Sequence, residues 1–215
     1  MSTLKQFPIR RGSHPTRDDG LCAMEMVAWL AGEQHSDDPK CACPVISSFV
    51  RSLNDCLPSD DHRARYLRPL IPRLINTRTG DLRLRSRRAF RIADYGARVL
   101  APMLLEVRGD KETAAHLRAL APIQDRASAR AARAIAQELG AARVVCWPLM
   151  MPAQDGPAGQ WVPSVAQLAR EIDSEAGYRA AVQLVVELVG MESPETKEAL
   201  RRSAGFRRHV GRLPT

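Results

Sequence analysis

Apolar residues recur at helical spacing through most of the chain. Leu21, Met24, Val27, Ala28 and Ala31 form a first stripe, with Asp19 placed to cap it and Gly32 to end it. Pro44 suits a first helical turn because its missing N–H has no partner there. Val45, Ile46, Phe49, Val50 and Leu53 then form a second stripe, with Ser47, Ser48, Arg51, Asn54 and Asp55 facing away. Ser59, Asp60 and Asp61 offer a cap to a third segment. There Tyr66, Leu67, Leu70, Ile71, Leu74 and Ile75 keep the spacing while Pro69 and Pro72 interrupt it. Asp81 heads a longer predicted helix that reaches about Val107, with a disturbance at Pro102.

Shorter helices are predicted over Asp110–Ala121 and Ala127–Leu139, the second closed by Gly140. Arg143–Trp147 is the one strand-like run. After a segment rich in proline, glycine and alanine, Ser164 and Gln167 make a capping-box start. Val165, Leu168, Ala169 and Ile172 form the stripe of that helix, and Tyr178, Ala181, Val182, Val185, Leu188 and Val189 form the next. Ser193-Pro194-Glu195 begins a last one. The pattern predicts an all-α, multi-helix bundle with long irregular loops and at most one short strand. Residues 1–18 read as a flexible basic arm and 19–147 as a helical domain with a cysteine-rich loop. Residues 148–163 read as a linker loop, and 164–215 as helices packed on the main domain.

Composition narrows this picture. The chain has 215 residues, 45% hydrophobic, enough for a real core. Only 5% are aromatic, so aliphatic and alanine packing must dominate. No apolar run spans a bilayer, so no membrane partner is expected. Five cysteines, an odd number, without a secretory signal point to free thiols in a reducing cytoplasm. The net charge of +8 favours an anionic partner, either nucleic acid or a nucleoprotein complex. Arg83, Arg87 and Arg91 follow i, i+4, i+8 spacing, and Arg98 continues their face. With Arg126, Arg130, Arg207 and Arg208 they are the candidate phosphate contacts. The competing reading is a solvated face paired with acids elsewhere.

Candidate chemistry concentrates in Leu21–Leu57, which holds four of the five cysteines. Cys22 lies in a first helical turn, and Cys41 and Cys43 lie just before another, positions that favour thiolates. Glu25, set in an apolar helix, needs a partner because an unpaired buried carboxylate is costly. Two geometries compete. In a plain antiparallel hairpin, Cys22 lies near Cys56, while His35, Cys41 and Cys43 sit about 17 Å away at the other end. If the loop instead doubles back, Cys22, His35, Cys41 and Cys43 form a candidate Cys₃His zinc site. A Cys22–Cys41 redox pair belongs to the same geometry. The catalytic candidates are Cys22, Glu25, His35, Asp37 and Cys41, with a thiol paired to His35 and a carboxylate orienting it. The competing reading makes these cysteines small buried apolar residues. There is no Walker loop, dinucleotide fingerprint, nucleophile elbow or zinc-deaminase spacing.

The run C-x-M-E-x-x-A-x-L-A-G-E-x-x-S-D-x-P-x-C-x-x-P-V, Cys22 to Val45, resembles a recurrent signature of uncharacterised bacterial and phage proteins. The resemblance covers this stretch and fades through the helix ending near Thr77. It implies that Cys22, Glu25, Ser36, Asp37 and Cys41 act together, and it brings no activity with it. The leading expectation is a non-enzymatic protein that contacts nucleic acid or a nucleoprotein complex through arginine-rich helix faces. The loop then serves as a structural centre. The alternatives are a metal- or thiol-dependent enzyme working at that loop, and a phage or mobile-element factor that binds a host protein.

Overall fold

Most helices start at a residue whose side chain satisfies free N–H groups of the first turn. The computed structural model describes residues 7–145 and 158–192. In it, Cys22 caps α1 (Ala23–Leu30), and Pro44 opens α2 (Pro44–Cys56). Ser59 caps α3 (Asp60–Tyr66), which leads through a short 3₁₀ turn into α4 (Ile71–Leu74). Asp81 caps α5 (Leu82–Tyr95) by accepting from the N–H groups of Arg83 and Leu84. α6 (Ala101–Val107) continues α5. Asp110 caps α7 (Lys111–Arg118) and Asp125 caps α8 (Arg126–Glu138). α9 (Ala158–Ile172) and α10 (Glu175–Gly190), the latter capped by Ser174, complete the described bundle. The described residues are 66% helical, and their only bridge is an isolated one between Ile9 and Leu21, so the fold is all-α.

The disturbance at Pro102 takes a definite form. Proline has no N–H to give, and the chain re-registers through a π turn at Gly96–Leu100 instead of breaking. The Ala101 N–H reaches back five residues to the Gly96 carbonyl, and α5 runs on into α6.

α2 is the central helix, covered by α1, α5, α9 and α10. That placement corrects the two-sided reading of α2. Ser47, Ser48 and Asn54 are buried along with Phe49, because neighbours cover the helix on more than one face. The N-terminal arm is corrected as well. From Phe7 it is held down, with Ile9 fully buried and the Arg10 N–H bonded to the Leu21 carbonyl at 2.9 Å. Asn54 donates to the Arg10 carbonyl, and Asp55 accepts from the Gly12 N–H at 2.8 Å. Phe7 packs edge-on against Trp29 with ring centres 4.9 Å apart. Residues 1–6 lie outside the described residues.

Three other expectations shift. Asp19 holds a turn at Thr16 instead of capping α1. Arg143–Val145, read as strand-like, are helical, since the Ala141 carbonyl accepts from the N–H groups of Val144 and Val145. α9 begins before Ser164 and runs through Pro163, whose carbonyl accepts from the Ser52 hydroxyl at 2.9 Å. Residues 148–157 of the expected linker and the helix expected at Ser193 lie outside the described residues.

Arg88 closes α10. Its buried guanidinium donates to the carbonyls of Leu188, Thr77 and Met191 at 3.1, 2.8 and 2.9 Å. It thereby adds a second donor to the Leu188 carbonyl, which also accepts from the Met191 N–H, gives one to the Met191 carbonyl beyond the helix end, and ties both to Thr77. Arg88→Met should therefore lower unfolding stability by about 2–4 kcal/mol in urea titrations. Arg85→Met, at an exposed position, should stay within about 0.5 kcal/mol.

Candidate functional site

Glu25 sits on the buried side of α1 and is 1% exposed. Three donors answer its carboxylate. The Cys22 N–H reaches Oε2 at 2.7 Å, the His14 N–H reaches Oε1 at 2.6 Å, and His14 Nδ1 lies 2.9 Å from Oε2. Cys22 completes a capping box, its Sγ accepting from the Glu25 N–H at 3.4 Å. Burial works to raise the Glu25 pKa, but the Cys22 and His14 N–H groups and the His14 ring outweigh it and hold it below 4.5. His35 completes the cluster. Its Nε2 lies 2.8 Å from the His14 carbonyl, an acceptor, so this nitrogen carries the proton. The same nitrogen is 3.7 Å from Glu25 Oε1, and Nδ1 is buried without a partner.

A second carboxylate closes the loop at the other end of α1. Glu33 accepts from the N–H groups of Lys40 and Cys41 at 2.6 and 2.7 Å. Burial acts to raise Glu33, and these donors outweigh it. Ser36 accepts from the Asp38 N–H, and the Asp37 carbonyl accepts from Arg51. Cys43 is buried, and its N–H donates to the Thr77 hydroxyl at 3.0 Å. Cys22, Glu25, Glu33 and Ser36 thus accept from backbone N–H groups with their side chains, while Asp37 and Cys41 are held through their own backbone.

These contacts decide between the two geometries. The Ala23 N–H bonds to Asn54 near the end of α2, while Glu33 binds the residues just before α2. The hairpin is antiparallel, but its loop turns back far enough to put His35 beside His14 and Glu25, at the Cys22 end and not with Cys41. The eight residues of α1 put about 12 Å between Cys22 and Cys41. The zinc expectation for Cys22, His35, Cys41 and Cys43 is therefore corrected. Among the described residues no three His, Cys, Asp or Glu side chains form a group suited to a metal ion. The shared redox pair fails for the same reason, and the four described cysteines are free thiols. The catalytic candidates divide in two. Cys22, Glu25 and His35 gather at one end, while Cys41 joins Glu33 at the other.

The thiols are also not activated. Burial pushes Cys22 up to about 12, and the adjacent Glu25 carboxylate adds to the rise. Burial and then Glu33 raise Cys41. The helix N-terminus, expected to favour thiolates, loses to desolvation.

The arginines sort into two sets. Arg91 is an internal tie, donating to Glu187 at 2.6 Å and to Asp94, with its guanidinium 5.1 Å from the Tyr95 ring centre. Arg98 also pairs with Asp94, which accepts in addition from the Ile123 N–H. Arg91 and Arg98 therefore leave the expected ridge, because nearby acids claim them. Arg83, Arg85 and Arg87 remain exposed, and among the described residues no carboxylate pairs with them. Arg73 and Arg78 extend this surface. Arg78 reaches the Lys40 carbonyl at 3.3 Å, and its N–H bonds to the Cys41 carbonyl, which adds Lys40 to the edge. Arg126 and Arg130 are exposed on α8, and Arg207 and Arg208 lie outside the described residues.

Sequence reasoning missed His14 as the partner of Glu25. The only signal was the carboxylate's need for one, and the arm has no periodicity to point back to it. No family model, curated protein or solved structure matches the chain.

Two outcomes follow from this geometry. Glu25 has a depressed folded pKa, so its stabilisation is complete above the unfolded carboxyl value and is lost as pH falls through the folded one. Glu25→Gln should cost about 2–4 kcal/mol at pH 7 by urea denaturation. The gap to the parent protein should narrow steadily below about pH 4. A gap independent of pH would mean that the carboxylate's charge is not what the knot uses. Labelling the folded protein with iodoacetamide should modify half-buried Cys41 before the buried Cys22, Cys43 and Cys56, as read by peptide mass spectrometry.

Proposed function

We propose that the protein is a non-enzymatic binder of nucleic acid, or of a nucleoprotein complex, acting through the arginine surface around the start of α5. One observation carries this reading. Six arginines lie from Arg73 to Arg88 against a single carboxylate, Asp81, which caps α5. Only Arg88 of the six is buried. Among the described residues no carboxylate pairs with Arg83, Arg85 or Arg87, and their guanidiniums face solvent. Such an excess of unpaired positive charge on one surface attracts a phosphate backbone by counterion release. Guanidinium forks suit phosphate oxygens better than lysine does.

The thiol-enzyme reading draws no support from thiols that burial has moved away from ionisation. The α1–α2 hairpin instead brings Lys40 beside Arg78, which follows α4, at the edge of the basic surface.

Fluorescence anisotropy with labelled duplex and single-stranded oligonucleotides tests the proposal. Binding should weaken steeply with salt. The triple variant Arg83→Gln, Arg85→Gln, Arg87→Gln should bind more weakly and lower the salt slope on duplex DNA by about 2.7, near 0.9 per phosphate contact. No binding to DNA or RNA at low salt would overturn the reading, as would binding that the triple variant leaves unchanged.

A further inference from the structure

At the end of α2 far from Cys41, the chain encloses an open polar cleft of about 490 Å³. Arg11 of the arm, Asp55 and Cys56 of α2, and Arg170 and Tyr178 of α9 and α10 line it. Its carboxylates already have donors. Asp55 accepts from the Gly12 N–H at 2.8 Å and the Asn54 amide at 3.1 Å. Asp60 pairs with Arg63 at 2.8 Å, and Asp173 accepts from the Tyr178 hydroxyl at 2.5 Å. Arg63 is buried and also donates to the Asn54 and Leu57 carbonyls.

Arg11 and Arg170 differ from these groups. Among the described residues neither makes a hydrogen bond or an ion pair. They lie far apart in sequence, yet both line the cleft with Cys56, and their charges oppose the rise that burial gives its thiol. Two guanidiniums without a partner among the described residues can engage two negative charges in one cleft. A phosphate monoester dianion supplies both on one group and offers the oxygens that guanidinium forks grip.

We propose that this cleft binds a small phosphorylated polyol. Its phosphate sits between Arg11 and Arg170, and its hydroxyls donate to the second carboxylate oxygens of Asp55 and Asp173. The charge balance argues against a long polyanion here. Three arginines and three aspartates line the cleft, so a long polyanion meets as many negative as positive groups, whereas a compact ligand can set one phosphate against Arg11 and Arg170. The volume lies within the usual range for small-molecule sites. The cleft is also separate from the arginine surface of α5. The 13 residues of α2 put about 20 Å between Cys56 and the end where Cys41 meets Arg78.

The test is a titration of the ¹⁵N-labelled full chain with glycerol 3-phosphate, and separately with glycerol. Glycerol 3-phosphate should give saturable shifts at the Gly12, Asp60 and Tyr178 amides, and glycerol should give none. Arg11→Gln and Arg170→Gln should each weaken binding at least about tenfold, the scale of one lost charged hydrogen bond. Both side chains are exposed, so the remaining spectrum should stay folded. Should either glutamine variant unfold, Arg11→Lys and Arg170→Lys keep the charge without the fork and should bind with intermediate affinity. The triple α5 variant should bind glycerol 3-phosphate like the parent, which separates this site from the nucleic-acid surface. Absence of saturable shifts would overturn the proposal. So would an affinity unchanged in both arginine variants, or shifts confined to residues 73–87.

Discussion

A carboxylate removed from water must be given donors, and Glu25 draws its donors from two parts of the chain and a neighbour from a third. The start of α1 supplies the Cys22 N–H, the arm supplies the His14 N–H and ring, and the α1–α2 loop brings His35 alongside. Each part has little reason to hold its position without the others. The arm contributes few apolar residues, of which Ile9 is fully buried. The loop has no periodicity at all. Because an unpaired buried charge costs several kcal/mol, the carboxylate makes arm, helix start and loop one cooperative unit. Cys22 and Glu25 then read as a capping box with a second task, since Glu25 closes the helix end and anchors the arm at once.

The same device recurs wherever the chain lacks bulk to pack. Glu33 gathers the backbone ahead of α2, Asp94 ties the loop at Ile123 to α5, and Arg88 ends α10. With so few aromatic residues, the bundle fixes its helix ends by charge-assisted hydrogen bonds, which are geometrically stricter than aliphatic contacts. This use of charge shapes the surface. Acids are drawn into caps and ties, and arginines not matched by them are left outside around α5.

The helices were legible because their apolar spacing and caps are local. Ser59, Asp81 and Asp110 start helices as their positions suggest, and the Pro102 disturbance appears as a π turn. What stayed hidden is tertiary. Ser47, Ser48 and Asn54 look like a solvent face until α2 is seen to be surrounded. Arg91 looks like a ridge residue until Glu187, 96 positions later, claims it. The choice between hairpin geometries rested on which ends Glu33 and Asn54 join, and no local pattern encodes that. The helix-dipole argument for Cys22 was sound in direction but omitted burial, which is the larger effect there.

The arm joins the buried knot to the polar cleft. Arg11 lies three residues before His14, and Gly12 between them is fixed to Asp55 at the cleft's edge. The backbone that carries this guanidinium is therefore held on the Gly12 and His14 side, by α2 through Asp55 and by α1 through Glu25. A side chain as long as arginine loses much rotamer freedom when it is ordered, and fixing its backbone beforehand lowers what a ligand must supply. The α5 arginines have no comparable restraint. They stand on an exposed helix face, where no carboxylate among the described residues fixes their position. One chain thus uses arginine in three settings. Buried, it closes helix ends; on a braced arm it lines a small cleft; and on an open helix face it is left to solvent without a carboxylate among the described residues.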